Sequence, residues 1–598
     1  MPFPIWQSLP AMFFEQARQF ASQPFLWCKR DGRWESLSYG DVAGKVRRVA
    51  RSLQALGVAP GDRIGLVAEN RPEWTIADLA IMSIGAITVP AFTTNTTADH
   101  RHVLSHSGAK GVIVSTRAIA ERVLPAALEA PDLAFVVTME EPGIAQRIAK
   151  RLVNWRDLLE AGAGRPDDLP GDLDSTVARL QRTDTCCFIY TSGTGGTPKG
   201  VMLTHGSILC NCMGAWNLLR DVGIGNDVFL CFLPLSHAYE HTVGQFFPMT
   251  VGAQIYFAES VEKLTDNMLE VRPTIMTAVP RLYEAMHHRI TRGIVKAKPF
   301  QQRMFSLALR LGRKKIDGGL GPLEHLQNLL AEVLVRRKLR LRFGGRLKAW
   351  VSGGAALNEE IGLFFLALGV RLLQGYGQTE ASPVVSANPP RRIKIRTVGP
   401  ALAGVEVRIA PDGEILVRSE AVMKGYWRDE AATAATVKEG WLHTGDIGTL
   451  DGEGYLQITD RKKDIIVLSG GDNVSPARVE GFLVLQPEIN QAMVHGDKHP
   501  HVVALLVPDE EFTRSWARQN DGETDLACLA ADSAFHKAFA PAIDRVNAGL
   551  SPIERIRRYA IAPEPFTTEN AMLTVSMKIR RHKIMERYGE MLERLYTP

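Results

Sequence analysis

The stretch "CCFIYTSGTGGTPKGVMLTH", residues 186–205, runs a short apolar segment into a loop of glycines and hydroxyls that carries one lysine. An apolar run of this length predicts a buried strand, with the loop leaving its end. Glycines let backbone N–H groups turn inward as a nest, hydroxyls add donors and the lysine adds a point charge, a combination suited to a polyphosphate. It is not the familiar nucleotide loop G-x-x-x-x-G-K-[ST]. Counted from Gly193, Pro198 stands where the second glycine belongs and Gly200 replaces the Ser/Thr. Taken alone, such a stretch is also compatible with an ordinary turn.

Around this loop, helical and strand patterns alternate. "YGDVAGKVRRVARSLQALG" predicts an amphipathic helix stopped at Gly57, and "DRIGLVAEN" the buried strand after it. "ADLAIMSIGAITVPAF" and "AKGVIVST" repeat the scheme, which argues an α/β architecture with mostly parallel strands. Beyond about residue 460 the pieces become smaller: "DIIVLSGGDNVSP", "HVVALLVPD", the helical "DSAFHKAFAPAIDRVNAGL" and the strand-like "RRYAIAPEPF". They predict a compact C-terminal α+β domain bounded near "DRKKD". The division is 1–460 for a large multi-subdomain N-terminal part, 461–463 for a hinge and 464–598 for a small mobile domain.

With 598 residues, the chain exceeds one ordinary core, and its 45% hydrophobic and 23% charged residues exclude a disordered polymer. Its most apolar stretch, Leu79 to Val89, is shorter than the ~20 residues a bilayer crossing needs, so no transmembrane helix is expected. The N-terminus lacks the basic-then-apolar pattern of a secretory signal. Seven cysteines without C-x-x-C pairs suit a reducing compartment. The expected location is cytoplasmic. The net charge of +5 is uneven: between Arg289 and Lys348 there are 16 Lys/Arg against Asp317, Glu324 and Glu332. Apolar residues recur at helical spacing among them, which points to peripheral membrane contact, at the inner face, or to an anionic ligand; a solvated basic face fits equally. Aromatics are too few there for a nucleic-acid platform.

Further motifs follow the glycine-rich loop in fixed order: "SGGAAL" (352–357), "GYGQTE" (375–380), "HTGDIG" (443–448), "DRKKDIIVLSGGDNVSP" (460–476) and "ENAMLTVSMKIRR" (569–581). Together they resemble the motif series of the adenylate-forming superfamily, which includes acyl-CoA synthetases, peptide-synthetase adenylation domains and luciferases. Each motif is weak alone, and six in order are strong. The resemblance implies an enzyme that uses ATP and Mg²⁺ to form an acyl adenylate with release of pyrophosphate, then passes the acyl group to CoA. A carboxylate is a poor nucleophile toward an anionic phosphate, so such a site must neutralise charge and align the attack.

By the same resemblance, Thr191, Ser192, Gly193, Thr194, Gly195, Gly196, Thr197 and Lys199 would clasp pyrophosphate. Tyr376, between Gly375 and Gly377, would lie against adenine beside Gly354 and Ala355. Thr379 would bond the phosphate, and Glu380 would ligate Mg²⁺. Asp446 would accept from the ribose hydroxyls with Arg461 nearby, and Lys578 would bridge the α-phosphate and the substrate carboxylate. Lys463 matches the hinge about which the small domain rotates for thioester formation, bringing Gly470 and Gly471 to the pantetheine channel. Gly195 and Val575 depart from the family's usual threonine and proline.

"LPLSHAYEHTVGQ", the basic insertion and the ending "ENAMLTVSMKIRRHKI" look most like the long-chain fatty acyl-CoA synthetase branch. There His237 lines the acyl pocket near the reacting carboxylate and Tyr239 gates the tunnel. The alternatives are an aryl or medium-chain acid as substrate, or delivery of the acyl adenylate to a carrier protein. An inactive nucleotide-binding scaffold is a further reading. "HAYEH" also satisfies H-x-x-E-H, a zinc-hydrolase signature with His237 and His241 as ligands and Glu240 as base.

Overall fold

The computed structural model describes residues 3–142, 150–163, 172–191, 197–520, 524–574 and 578–597. Its large N-terminal lobe is built on two eight-stranded sheets and one smaller sheet. One large sheet runs in the order Val384–Ala387, Leu372–Gly377, Ala349–Ser352, Ile275–Ala278, Val228–Cys231, Gln254–Phe257, Pro24–Arg30, Arg33–Ser38. The other runs Gly425–Tyr426, Lys199–Thr204, Thr185–Thr191, Ile87–Pro90, Arg63–Val67, Ala109–Val114, Phe135–Thr138, Arg151–Asn154. Inner strands of both are parallel, as alternating helices and strands predict. The first sheet is antiparallel at both edges and the second only at the edge that carries Thr185–Thr191, Lys199–Thr204 and Gly425–Tyr426, while its other edge pair, Phe135–Thr138 with Arg151–Asn154, is parallel.

Local sequence sets the helix limits. The helix Tyr39–Ala55 starts at a capping box of Ser38 and Asp41, and the chain turns out of it at Gly57, whose φ is +88°. Helix Pro72–Ser83 is buried all round because it is sandwiched between layers, and it is followed by the strand Ile87–Pro90.

Two expectations are corrected. The third sheet, built from Val405–Ile409, Glu414–Ser419, Val437–Lys438, Trp441–Leu450 and Leu456–Arg461, is antiparallel throughout. Short connections join Val405–Ile409 to Glu414–Ser419, Val437–Lys438 to Trp441–Leu450 and Trp441–Leu450 to Leu456–Arg461, so those strands fold back on each other. The C-terminal "DSAFHKAFAPAIDRVNAGL" is not one helix: Ser533–Lys537 and Ala540–Ala548 are separate, with Pro541 opening the second. Proline lacks the N–H that a continuous helix would need there.

From Ile466 the chain forms a small lobe with a two-stranded hairpin, Ile466–Val467 and Asn473–Val474, and a three-stranded sheet ordered Ile489–His495, Val502–Pro508, Ile556–Ile561. Every residue of Val502–Pro508 is buried, because helices cover both faces of that strand. Two apolar clusters lie wholly within this lobe, so it carries its own core. Bonds that cross to the large lobe include Arg292 Nη2 to Asp509 Oδ1 (3.0 Å), Arg292 Nη1 to Glu511 Oε2 (2.5 Å), Arg281 Nη1 to the Asn490 carbonyl (3.1 Å), Asn358 Nδ2 to the Gly481 carbonyl (3.0 Å), and a His288 Nε2 contact with the Val484 carbonyl (3.3 Å).

Candidate active site between the lobes

A cleft of about 1870 Å³ lies between the lobes, with walls from both. Thr185–Thr191 and Lys199–Thr204, the strands on either side of the glycine-rich stretch, form an antiparallel hairpin in which Thr191 pairs with Lys199. Thr191 lines the cleft and Thr197 is exposed; Ser192, Gly193, Thr194, Gly195 and Gly196 lie outside the described residues, as does Val575. The Lys199 ammonium is 2.9 Å from Asp429 Oδ2 and 5.2 Å from the centre of the Tyr426 ring. Both partners are partly exposed, so this ion pair is weak and exchangeable.

Tyr376 comes from the strand Leu372–Gly377 of a large sheet, and Asp446 from the strand Trp441–Leu450 of the antiparallel sheet. The tyrosine hydroxyl donates to Asp446 Oδ2 at 2.7 Å. Arg461 is the register partner of Asp446 on the adjoining strand and holds its Nε 3.5 Å from Oδ1. Burial raises the Asp446 carboxyl above the usual aspartate range, against the Tyr376 bond and the positive charges of Arg461 and Lys578.

Thr379 and Glu380 form a single 3₁₀ turn, Thr379–Ala381. Asn211 holds it from below: its Nδ2 donates to the Ala381 carbonyl (3.1 Å), and its Oδ1 accepts from the Val384 N–H (2.7 Å). Glu380 Oε1 accepts from the Tyr426 hydroxyl at 2.9 Å, and the residue lines the cleft. A cleft-facing carboxylate is the hard oxygen donor that Mg²⁺ requires, so the residues fit that ion. Gly354 and Ala355 line the same cleft, with Gly354 in the left-handed region at φ +83°. Gly375 and Gly377 line it too, and a Cβ on Gly377 would stand 1.8 Å from the Pro383 carbonyl oxygen, so only glycine fits.

Lys578 enters from the small lobe. Enclosure by the cleft walls lowers its ammonium pKa below the usual lysine value; Arg461 adds to that, while Asp446 and Glu380 oppose it. It remains in contact with the water of the cleft. The same lysine acts on His237, whose pKa burial pulls down to about 4 with help from the Lys578 charge. His237 is therefore a neutral imidazole at pH 7. Its Nδ1 accepts from the Tyr239 N–H at 3.2 Å, which leaves the ring proton on Nε2. Tyr239 is buried, donates to the Val351 carbonyl at 3.1 Å and lies flat on Gly353. The same cleft lining that holds His237 and Tyr239 includes the apolar residues Ala215, Leu218, Leu219 and Val243.

Two sequence-predicted groups stand apart. Lys463 lines the cleft in the turn that links the lobes, whereas Gly470 and Gly471 sit on the exposed turn of the small hairpin, outside the lining. The zinc reading of "HAYEH" does not fit the geometry. His241 Nε2 is 2.9 Å from Asp78 Oδ2, in a fully buried pair, and Glu240 Oε2 accepts from the Thr277 hydroxyl at 2.6 Å. Both point into the core beneath a π-helical turn, Glu240–Phe246, while His237 faces the cleft. Sequence reading missed the network under that turn, in which Gln245 Nε2 also donates to Asp78 Oδ2 (2.8 Å) and Thr75 to Gln245 Oε1 (2.8 Å). A charged residue amid the apolar run 72–83 was the available signal.

Two family models span the chain: AMP-binding enzyme over residues 13–427, and AMP-binding enzyme C-terminal domain over 463–598. The chain belongs to the adenylate-forming, AMP-binding enzymes. Within them it falls in the long-chain acyl-CoA synthetase branch. It is 34% identical over 608 residues to the long-chain-fatty-acid–CoA ligase FadD15 of Mycobacterium bovis, covering 100% of this chain and 98% of that protein. It is 30% identical to long-chain-fatty-acid–CoA ligase 1 of Cavia porcellus, over 95% of this chain and 83% of that protein. Among solved structures, the adenylation domain of a carboxylate reductase from Mycobacterium chelonae superposes with a TM-score of 0.76 at 21% identity, covering 99% of this chain and 91% of that one. A benzoate CoA ligase from Burkholderia xenovorans does so at 0.70 and 24%, covering 97% and 100%. At these identities the structural likeness concerns the fold.

Proposed function

We propose that the protein is an ATP- and Mg²⁺-dependent long-chain fatty acid:CoA ligase. The observation that carries this reading is the meeting of Lys578 from the small lobe with Glu380, Asp446 and His237 of the large lobe around one cleft. In the first half-reaction a carboxylate oxygen of the fatty acid attacks the α-phosphorus of ATP, and the α–β bridging P–O bond breaks to release pyrophosphate. Lys578 offsets the two negative charges that must approach each other; Asp446 holds the ribose, and Lys199 with the glycine-rich stretch holds the departing phosphates. Mg²⁺ held by Glu380 supplies further charge neutralisation when bound. In the second half-reaction the CoA sulfur, having lost its proton, attacks the acyl carbonyl, and the C–O bond to AMP breaks. Rotation of residues 464–598 about Lys463 would carry Lys578 away and bring Gly470 and Gly471 to the channel.

The apolar residues Ala215, Leu218, Leu219 and Val243 of the cleft lining support a fatty chain over a compact aryl acid. Pyrophosphate release across a panel of acids, with and without CoA, tests the substrate: fatty acids are expected to give the highest rate with CoA consumed. An optimum at benzoate-like acids, or turnover indifferent to CoA, overturns it.

Peripheral membrane contact through the basic segment belongs to the same reading. Among the described residues, ten of the 18 exposed large apolar side chains fall between 295 and 341, a small fraction of the chain, with Leu323, Leu326 and Leu329 more than 60% exposed. They lie on the end of the helix Pro280–Val295, the helices Pro299–Asp317 and Pro322–Ala331 and the helical segment 332–342, together with the excess Lys/Arg, a pairing that fits an anionic lipid surface. No helix among the described residues is long and apolar enough to cross a membrane. Co-sedimentation with phosphatidylglycerol-containing vesicles, lost in Leu323→Ser/Leu326→Ser and weakened by salt, is the expected result. Equal binding by that variant removes the proposal.

A further inference from the structure

We infer that the small lobe carries a site for a divalent transition-metal ion formed by His495, His499 and Glu593. Among the described residues this is the group of histidine, cysteine and carboxylate side chains whose ligand atoms come together closely enough for one ion, all lying within 4.8 Å of one another. His495 Nε2 is 3.3 Å from Glu593 Oε1, and His499 Nε2 is 3.2 Å from each carboxylate oxygen. In a tetrahedral site with metal–ligand bonds of about 2.0–2.1 Å, neighbouring ligand atoms stand about 3.3 Å apart. The His–Glu separations therefore match the edge of such a site, and an ion enters with small adjustments of three side chains.

The supporting groups fix the rings. Tyr596 stacks on His499 with centroids 3.8 Å apart and planes 9° from parallel. Its hydroxyl lies 3.1 Å from the carbonyls of both His495 and His501, which ties the turn "HGDKHPH" to the end of the C-terminal helix. Such outer contacts are what hold imidazole ligands in place. The electrostatics also favour a cation. Glu593 sits in the last turn of the helix Arg581–Arg594, where the helix carbonyls already supply negative potential and a carboxylate is disfavoured without a positive partner. Two imidazoles select Zn²⁺, Co²⁺ or Ni²⁺ over Mg²⁺ or Ca²⁺.

The ligands join the loop after the strand Ile489–His495 to the chain's final helix. A bound ion would staple that helix to the sheet, at the margin of the inter-lobe cleft, which His495 also lines. The two histidines stand four residues apart, within the H-x₃₋₅-H spacing of zinc ligands, but the carboxylate comes from a helix nearly a hundred residues on.

The test is metal uptake by the full-length protein stripped with EDTA and titrated with Zn²⁺ in the absence of ATP. The expected result is one zinc per chain, a melting temperature that rises with zinc, and a visible absorption band when Co²⁺ is used. His495→Ala/His499→Ala should abolish all three, and Glu593→Gln, at a half-exposed site that tolerates the near-isosteric change, should weaken uptake at least about tenfold. No saturable uptake by the unaltered chain, or the same uptake by Glu593→Gln, overturns the inference even if the double variant fails to fold.

Discussion

The Tyr376 hydroxyl donates to Asp446 across a boundary between two sheets, the tyrosine from a parallel sheet and the aspartate from the antiparallel one. This 2.7 Å bond makes that part of the cleft wall a joint product of two sheets. Tyr376→Phe leaves a half-buried carboxylate oxygen without that donor, which costs about 1–3 kcal/mol at the site. We expect the KM for ATP to rise more than tenfold in ATP–pyrophosphate exchange for Asp446→Asn, and less for Tyr376→Phe. An unchanged KM in Asp446→Asn would remove Asp446 from the ribose site.

In the proposed reaction, Lys578 must be protonated to offset charge during adenylate formation. Because its pKa is lowered from the lysine value, the charged form is lost at a lower pH than for a free lysine. Adenylation should therefore fall on the alkaline side, starting below the usual lysine range, while thioester formation from supplied acyl adenylate should not. Lys578→Arg keeps the charge and should move the alkaline limb upward; Lys578→Ala should abolish adenylation and spare the second half-reaction. Stopped assays of each half-reaction read both outcomes, and equal loss of the two halves contradicts the division of labour.

Beneath the cleft, the buried Asp78–His241 pair holds the π-helical turn that carries Val243 of the cleft lining. Burial opposes the imidazolium, but the Asp78 carboxylate outweighs it and lifts His241 to about 10. A raised folded-state value means that the stabilisation is complete below the histidine's ordinary pKa of 6.5 and disappears as pH climbs through about 10. Asp78→Ala should destabilise the protein by about 3–5 kcal/mol, since it leaves a buried partner uncompensated. Chemical denaturation at pH 7 checks the size of the loss.

Glu240 behaves oppositely. Burial raises its carboxyl from 4.5 to about 7, against the Thr277 bond. The folded state thus keeps a proton that the unfolded chain releases, and stability falls as pH rises from 4.5 to about 7, then levels off. Glu240→Gln keeps a polar group for Thr277 and removes the titration. Its melting temperature relative to the parent should climb across that window, and parallel curves would show that Glu240 does not titrate there.

Much of the site was legible because its residues sit in short motifs whose local conformation is set by neighbours in the chain. The glycine-rich stretch falls between two paired strands, Thr185–Thr191 and Lys199–Thr204, the first of which is the buried β run read from the sequence. The Tyr39–Ala55 helix ends where glycine permits a left-handed turn. The same local reasoning failed at "HAYEH", where five consecutive residues are divided between cleft and core. The π-helical turn decides which side chain faces which way, and neither spacing nor residue type encodes that choice.

By itself the sequence determined the order of the motifs, the alternation that builds two parallel-cored sheets and the presence of a separate small lobe, since each rests on interactions between residues close along the chain. Only the tertiary structure decided that Asp446 accepts from the Tyr376 hydroxyl, that His241 belongs to a buried ion pair, and that His495 and His499 face Glu593. Each of these joins residues from about seventy to more than a hundred and sixty positions apart, and burial, register and charge compensation across that distance exist only once the layers have packed.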